Sequence, residues 1–471
     1  MIAIPIGHAA CAALVATIVA FPSIAGPAEP PWENLQPGKH LDGWVQRGGN
    51  AHYTVEGGEL VGRSVADTPN SFLTTRKSFG DFVLEYDVKI DPRLNSGVQI
   101  RSESRSDYRD GVVHGYQVEI DPTPRGYSGG IYDESRRGWL YGLARNDAAS
   151  AAFKSGDWNH FRVEAIGPSI RTWVNGVPAA NLVDDMTASG FIGLQVHGVG
   201  KDPTKAGMEV RFRALRIIAH DAARFASPPD ARAEEISFLV NQLTPAERAA
   251  GWKLLWDGST TQGWCSARGA TFPDHGWFIR DGAFGVEASG GHESTNGGDI
   301  VTTEDYGNFD LQVDFRITKG ANSGIKYFVD PALTRKEGSA IGLEFQLLDD
   351  ANNQERVLGV AGNHQVGSLY DLIAAENLSS PGWPKPVPTI GEWSRARIIS
   401  RGSHVEHWLN GVKVVEYERG SQMFRALVTH SKYVDLPGFG LRSAGPILLQ
   451  DHGDEVWFRS IKIRVLPATG E

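Results

Sequence analysis

"GDWNHFRVEAIGPSIRTWVNG" (156–176) and "GEWSRARIISRGSHVEHWLNG" (391–411) run against each other without a gap. Each contains apolar residues alternating with polar ones and ends on Asn-Gly. Alternation with a period of two marks a half-buried strand. Asn and Gly accept the positive φ that a tight hairpin turn demands, so Asn175-Gly176 and Asn410-Gly411 read as turns between strands. The stretch therefore spells strand, turn, strand, and the chain writes it twice.

Other blocks repeat in the same order on either side. "FLTTRKSFGDFVLEYDVKI" (72–90) resembles "IVTTEDYGNFDLQVDFRI" (300–317), and "NSGVQIR" (95–101) resembles "NSGIKYF" (322–328). "GYQVEID" (115–121) pairs with "GLEFQLL" (342–348), and "GGIYDE" (129–134) with "GSLYDL" (367–372). "GFIGLQVHG" (190–198) returns as "GPILLQDHG" (445–453), and "VRFRALRI" (210–217) as "VWFRSIKI" (456–463). A long-period repeat in conserved order is a duplicated domain. Many short alternating strands separated by turn signals predict an all-β sandwich or jelly roll. Between the halves, Ile236, Leu239, Val240 and Leu243 have helical spacing, and Thr244, Pro245 and Glu247 form a helix start. The expectation is two tandem jelly-roll β-sandwiches, 32–220 and 251–466, joined by a short helical linker over 221–250.

The 471 residues are 41% hydrophobic and 22% charged, with 55 Gly and 13 Trp. Net charge is −10 without a basic stripe, which argues against nucleic acid and against a stable membrane partner. "CAALVATIVAFPSIAG" (11–26), with Ser23 and Ala25 at signal-peptidase spacing, makes 1–25 an expected signal peptide and the protein periplasmic or secreted. Cys11 would leave with that peptide, so Cys265 has no partner for an internal disulfide. No Gly-rich nucleotide loop, G-x-S-x-G, HExxH or CxxC is present, so neither a nucleotide cofactor nor a transition-metal site is expected. "LDDANNQE" (348–355) has oxygen ligands without EF-hand spacing, which leaves a divalent cation open.

Polar residues recur at positions that share a strand face. Gln117 and Glu119 stand two apart on one strand, as do Glu344 and Gln346 in the second half, with acid and amide in swapped order. Gln195 and His197 are matched by Gln450 and His452. Such a face is costly to bury in an apolar core and suits a concave, wet surface; a merely solvated sheet carries the same pattern. Near these blocks lie Arg101, His114, Asp121, Tyr132, Asp133, Arg136, Arg137 and Trp139, and in the second half Lys326, Asp349, His364, Tyr370, Asp371 and Asp451. Aromatic faces beside charges and amides are what a sugar needs for stacking and hydrogen bonding.

"LTPAERAAGWKLLWDGSTTQGW", "GLEFQLLDD", "GSLYDL" and "LLQDHGDEVWFRSIKI" resemble the 3-keto-disaccharide hydrolase family, and the first half resembles a divergent branch through "NSGVQIRS", "GYQVEID", "GGIYDESRRGWL" and "GLQVHG". The resemblance implies a concanavalin A-like fold and action on glycosides oxidised to a ketone at carbon 3. It implies no redox cofactor, since a separate glycoside 3-dehydrogenase would make the ketone. On this reading Glu344 or His452 is base or acid, Lys326 stabilises negative charge, and Gln346 with Tyr370 orients the sugar. Glu119 and His197 take the acid-base roles in the first half, with Arg101 and Arg137 as charge stabilisers. Gln117, Gln195, His114, Tyr132, Asp133, Trp139, Asp349, Asp371 and Gln450 are the remaining expected sugar contacts. Lys326 aligns with Gln99 and Asp451 with Val196, so which half catalyses stays open. Two other classes fit the same residues: a non-catalytic lectin-like module, and a two-carboxylate hydrolase of unoxidised glycosides.

Overall fold

The computed structural model describes residues 1–3, 30–334 and 337–467. The signal peptide expected at 1–25 falls outside them save for its first three residues. Among the described residues no helix is long and apolar enough to cross a membrane.

The strand Phe82–Ile90 is the middle of the first half. Phe82, Leu84, Tyr86, Val88 and Ile90 point inward and are buried, as the alternation requires. It lies antiparallel between Asn159–Ile166 and Glu209–Ile218. Phe309–Ile317 repeats the arrangement between Ser394–Arg401 and Val456–Val465. The duplication read from sequence is thus a duplication of strand neighbours. Asn175 and Gly176 have φ of 50° and 80°, and Asn410 and Gly411 45° and 76°. Both central residues of each turn are left-handed, the geometry of a two-residue hairpin.

Each half is a jelly-roll sandwich of two sheets closed on its own hydrophobic core. The first half packs a nine-stranded sheet on a seven-stranded one, and the second an eight-stranded sheet on a five-stranded one. The sheets that matter for function run Ile131–Glu134, His114–Ile120, Ser96–Glu103, Phe191–Val196 in the first half. In the second half the matching sheet orders Leu448–Leu449, Asn322–Tyr327, Leu343–Leu348.

The linker departs from expectation. Residues 232–243 form no helix; Ile236–Ser237 instead pairs, in parallel, with the edge strand Val177–Val183. An open sheet edge offers backbone partners, and tertiary contacts override a weak helical preference. The Phe238 ring lies between the guanidinium of Arg137, 5.7 Å away, and that of Arg395, 3.7 Å away. Arg395 Nη1 and Lys462 Nζ donate to the Ser237 carbonyl at 2.7 and 3.1 Å. The helix start is correct: Pro245–Ala249 follows a Thr244–Glu247 capping box.

Candidate active site

In the first half, Gly97 stands opposite Glu119, Gln99 opposite Gln117, and Gln117 opposite Tyr132. Paired residues of antiparallel strands share a face, so these side chains converge. Gly97 is glycine for a local reason: a Cβ there would lie 2.4 Å from the Gln117 side chain, which folds across it. Gln99 Nε2 donates to Gln117 Oε1 at 2.8 Å, and Gln117 Nε2 to Glu119 Oε2 at 3.0 Å. Asn95 Nδ2 donates to Glu119 Oε1 at 2.8 Å, and Arg125 is 3.5 Å away.

Glu119 is 4% exposed at the floor of a cleft of about 670 Å³. Burial pushes its carboxyl up to about 7, with Asn95 and Arg125 opposing the rise. Glu134 lines the same cleft and accepts from Asn70 Nδ2 at 3.3 Å. Burial, with the Glu119 charge adding to it, pushes Glu134 up to about 7 as well. Burial and the nearby carboxylates carry the Tyr132 phenol up to about 12. Trp139 and His197 also line the cleft, His197 as an exposed ring at its rim. Gln195 is fully buried in the adjoining strand, and neither of its amide atoms has a hydrogen-bond partner among the described residues.

Four expected site residues stand outside this cleft: Arg101, Arg137, Asp133 and His114. Arg101 donates to the carbonyls of Gly80 and Gly167 at 2.8 and 2.6 Å and pairs with Asp81 at 3.1 Å. Its guanidinium braces loops and does not line the cleft. Arg137 is held by Asp133 at 2.6 Å and Asp184 at 2.7 Å, and Asp133 also binds Arg136. That buried frame occupies the donors that charge stabilisation would need. The His114 ring lies tilted against Tyr108, centroids 4.1 Å apart, outside the cleft lining.

The second half brings a different set together. Lys326 stands opposite Glu344, both 5% exposed and 3.6 Å apart. Lys326 also donates to Ser339 and to the Ala340 carbonyl, and Ser339 to Asp299. Burial raises the Glu344 carboxyl while Lys326 holds it back. Gln346 lies 3.0 Å from Asn322, whose amide is 3.3 Å from His452 Nε2. Gln450 donates to Glu293 at 3.0 Å. Tyr370 donates to Glu355 at 2.7 Å, and His364 bridges Glu355 and Asp371 at 2.8 and 2.9 Å. Asp349 accepts the backbone N–H groups of Gly320 and Ala351, and Asp451 those of Gly298 and Gly453. Those two acids shape loops. Among the described residues the group with metal-like spacing is His404, Glu406 and Glu416; it lies on the opposite sheet, and Lys413 pairs with both acids.

The halves meet at Arg125. Its guanidinium lies 4.9 Å from the Tyr127 ring, 5.0 Å from Trp139 and 4.6 Å from Trp383, a residue of the second half. Asn95, Arg125, Glu134 and Trp383 escaped sequence reasoning. Asn95 had a visible signal, since "NSG" occurs in both halves; Trp383 had none, because its partner is in the other repeat.

The sequence profile described as the 3-keto-alpha-glucoside-1,2-lyase-like domain matches residues 31–218 and again 251–464. The chain belongs to that family, twice over. A 3-keto-disaccharide hydrolase of Bacteroides thetaiotaomicron is 32% identical over 239 residues, which are 46% of this chain and 79% of the relative. A crystal structure of a candidate glycosyl hydrolase from Parabacteroides distasonis is 31% identical, covering 48% of this chain and 100% of its own, with a TM-score of 0.42. A second such structure from that organism is 26% identical, covering 46% and 99%, with a TM-score of 0.33. Both lyase-like domains keep the Gly of "NSG" beneath a polar side chain of the next strand. At Gly324 a Cβ would come 2.2 Å from Glu344 Oε1.

Proposed function

We propose that the protein is an exported enzyme that cleaves 3-keto-glycosides, with the first-half cleft as its active site. The observation that carries this is Glu119: a buried carboxyl, pushed up to about 7, on the floor of a cleft of about 670 Å³. A base works best when its pKa lies near the operating pH. The family membership and the hydrolase relative support glycosidic bond cleavage.

A ketone at carbon 3 acidifies the hydrogen on carbon 2. Glu119 takes that proton, and negative charge develops on the ketone oxygen, near the Tyr132 hydroxyl and Arg125. The electron pair then forms the C1–C2 double bond as the C1–O bond breaks. The departing oxygen takes a proton from Glu134, whose raised pKa keeps it partly protonated near neutrality. Water adds its oxygen at carbon 1, carbon 2 regains a proton, and the free 3-keto sugar leaves. The ketone is supplied upstream by a glycoside 3-dehydrogenase. A second reading rests on the same two raised acids: direct hydrolysis of unoxidised glycosides, with Glu134 as acid and Glu119 as its partner.

The test offers methyl α-glucoside and its 3-keto derivative to the purified protein in D₂O. Methanol release from the keto substrate alone, with deuterium at carbon 2 of the product, is the expected result. Turnover of the unoxidised glucoside selects the second reading. Failure to cleave either sinks both.

A further inference from the structure

The cleft does not end at the edge of the first half. A chamber of about 300 Å³ continues from it into the junction, and Arg125, Tyr132, Trp139 and Trp383 line both spaces. The far wall belongs to the second half: Trp383, Lys385, Pro386 and Asn410 among others. Trp383 is 41% exposed although it sits against Arg125. With Arg125 against its ring and that surface still exposed beside Tyr132, Trp383 is an aromatic platform on which a ring carrying hydroxyls can stack.

We propose that this junction chamber is the aglycone subsite, completed by Trp383 from the second half, and that it takes a sugar ring. The inference rests on the first-half cleft being the active site. It gives the second half a task there that a single-domain relative has no means to perform: its 376–390 segment walls the subsite of its neighbour. Trp383 is then a specificity-determining residue. It acts on the part of the substrate beyond the broken bond and leaves the C2 proton transfer alone.

The experiment uses the full chain with Trp383→Ala and Trp383→Phe, and reads two substrates: a 3-keto-disaccharide and methyl 3-keto-α-glucoside. In Trp383→Ala, KM for the disaccharide rises about tenfold, the effect of losing one stacked ring. KM for the methyl substrate rises at least about threefold less than KM for the disaccharide, and Trp383→Phe restores most of the disaccharide KM. An equal change for both substrates, or none for either, overturns the subsite. Calorimetry with trehalose and methyl α-glucoside decides the same point without turnover. The subsite requires Trp383→Ala to weaken trehalose binding while sparing the methyl glucoside, and absence of trehalose binding to the native chain rejects it. A native chain that binds trehalose through Trp383 but cleaves no keto substrate refutes the catalytic reading, and the chamber is then a sugar-binding site and not an aglycone subsite.

Discussion

The two concave faces use the same strands and differ by where the acid stands. In the second half, Glu344 occupies the row that crosses Lys326, and the neutral Gln346 occupies the row that crosses Gly324. In the first half the order is reversed: Gln117 crosses Gln99, and Glu119 crosses Gly97. A salt pair has become an amide pair of similar size, and the carboxylate has moved two residues along the strand on the same face. The consequence is electrostatic. Glu344 lies in register with a fixed cation, whereas the nearest donors to Glu119 are neutral amides, with Arg125 at 3.5 Å. Lys326 in register opposes the rise that burial imposes on Glu344 and keeps the carboxylate occupied. Amides orient the Glu119 carboxylate and leave it free to exchange a proton near neutral pH.

The largest expected effect breaks that comparison by removing each acid in turn. Glu119→Gln should lower kcat on the 3-keto-glycoside by about 10²- to 10⁴-fold, the range for loss of a positioned base. Glu344→Gln should cost less than about fivefold. If the large loss falls on Glu344→Gln, the Lys326–Glu344 pair is the catalytic one and the first-half cleft is a binding site.

Most of the fold was legible, because the strand alternation and the Asn-Gly turns are local and the repeat supplies a second copy of each. The rows of Gln, Glu and Gly were legible for the same reason. What could not be read depends on approach from elsewhere. Residues 232–243 carry helical spacing, yet a sheet edge and two arginines around Phe238 claim them for extended chain. Arg101 and Arg137 are charged and near the right blocks, but neighbours distant in sequence, Gly167 and Asp184, take their donors. Glu134 aligns with Leu372, so the repeat concealed it; only the curvature that brings it to Asn70 identifies it as a cleft residue.

Lys326→Met sharpens the comparison from the other side. It leaves the buried Glu344 without its cation, and breaking such a pair costs roughly 3 kcal/mol. Glu344 can respond by holding a proton, since burial already raises its pKa. The loss should therefore be small at pH 5 and near its full value at pH 8, read by denaturant unfolding. Gln99→Met, at the matching position of the first half, should cost about 1 kcal/mol, the worth of a neutral hydrogen bond, with no difference between the two pH values. Equal, pH-independent losses from both variants would mean that the Lys326–Glu344 pair contributes no more than the amides that replace it.

The last effect concerns the pH dependence of stability in the first half, and its sign opposes the usual one for a carboxylate. Glu119 titrates at about 7 in the fold and near 4.5 when unfolded. Between these values the folded state holds the extra proton, so stability falls as pH rises from about 4.5 to about 7. At 1.36 kcal/mol per unit the ceiling is about 3 kcal/mol. Glu119→Gln removes the titration, but its amide must face the donor of Gln117, which reduces the gain to about 2 kcal/mol. The variant should match or trail the native chain at pH 5 and exceed it at pH 8, while losing turnover at both. Parallel stability curves for the two proteins would mean that Glu119 ionises at its ordinary pKa, and the cleft would then lack the poised base that separates it from the Lys326–Glu344 face.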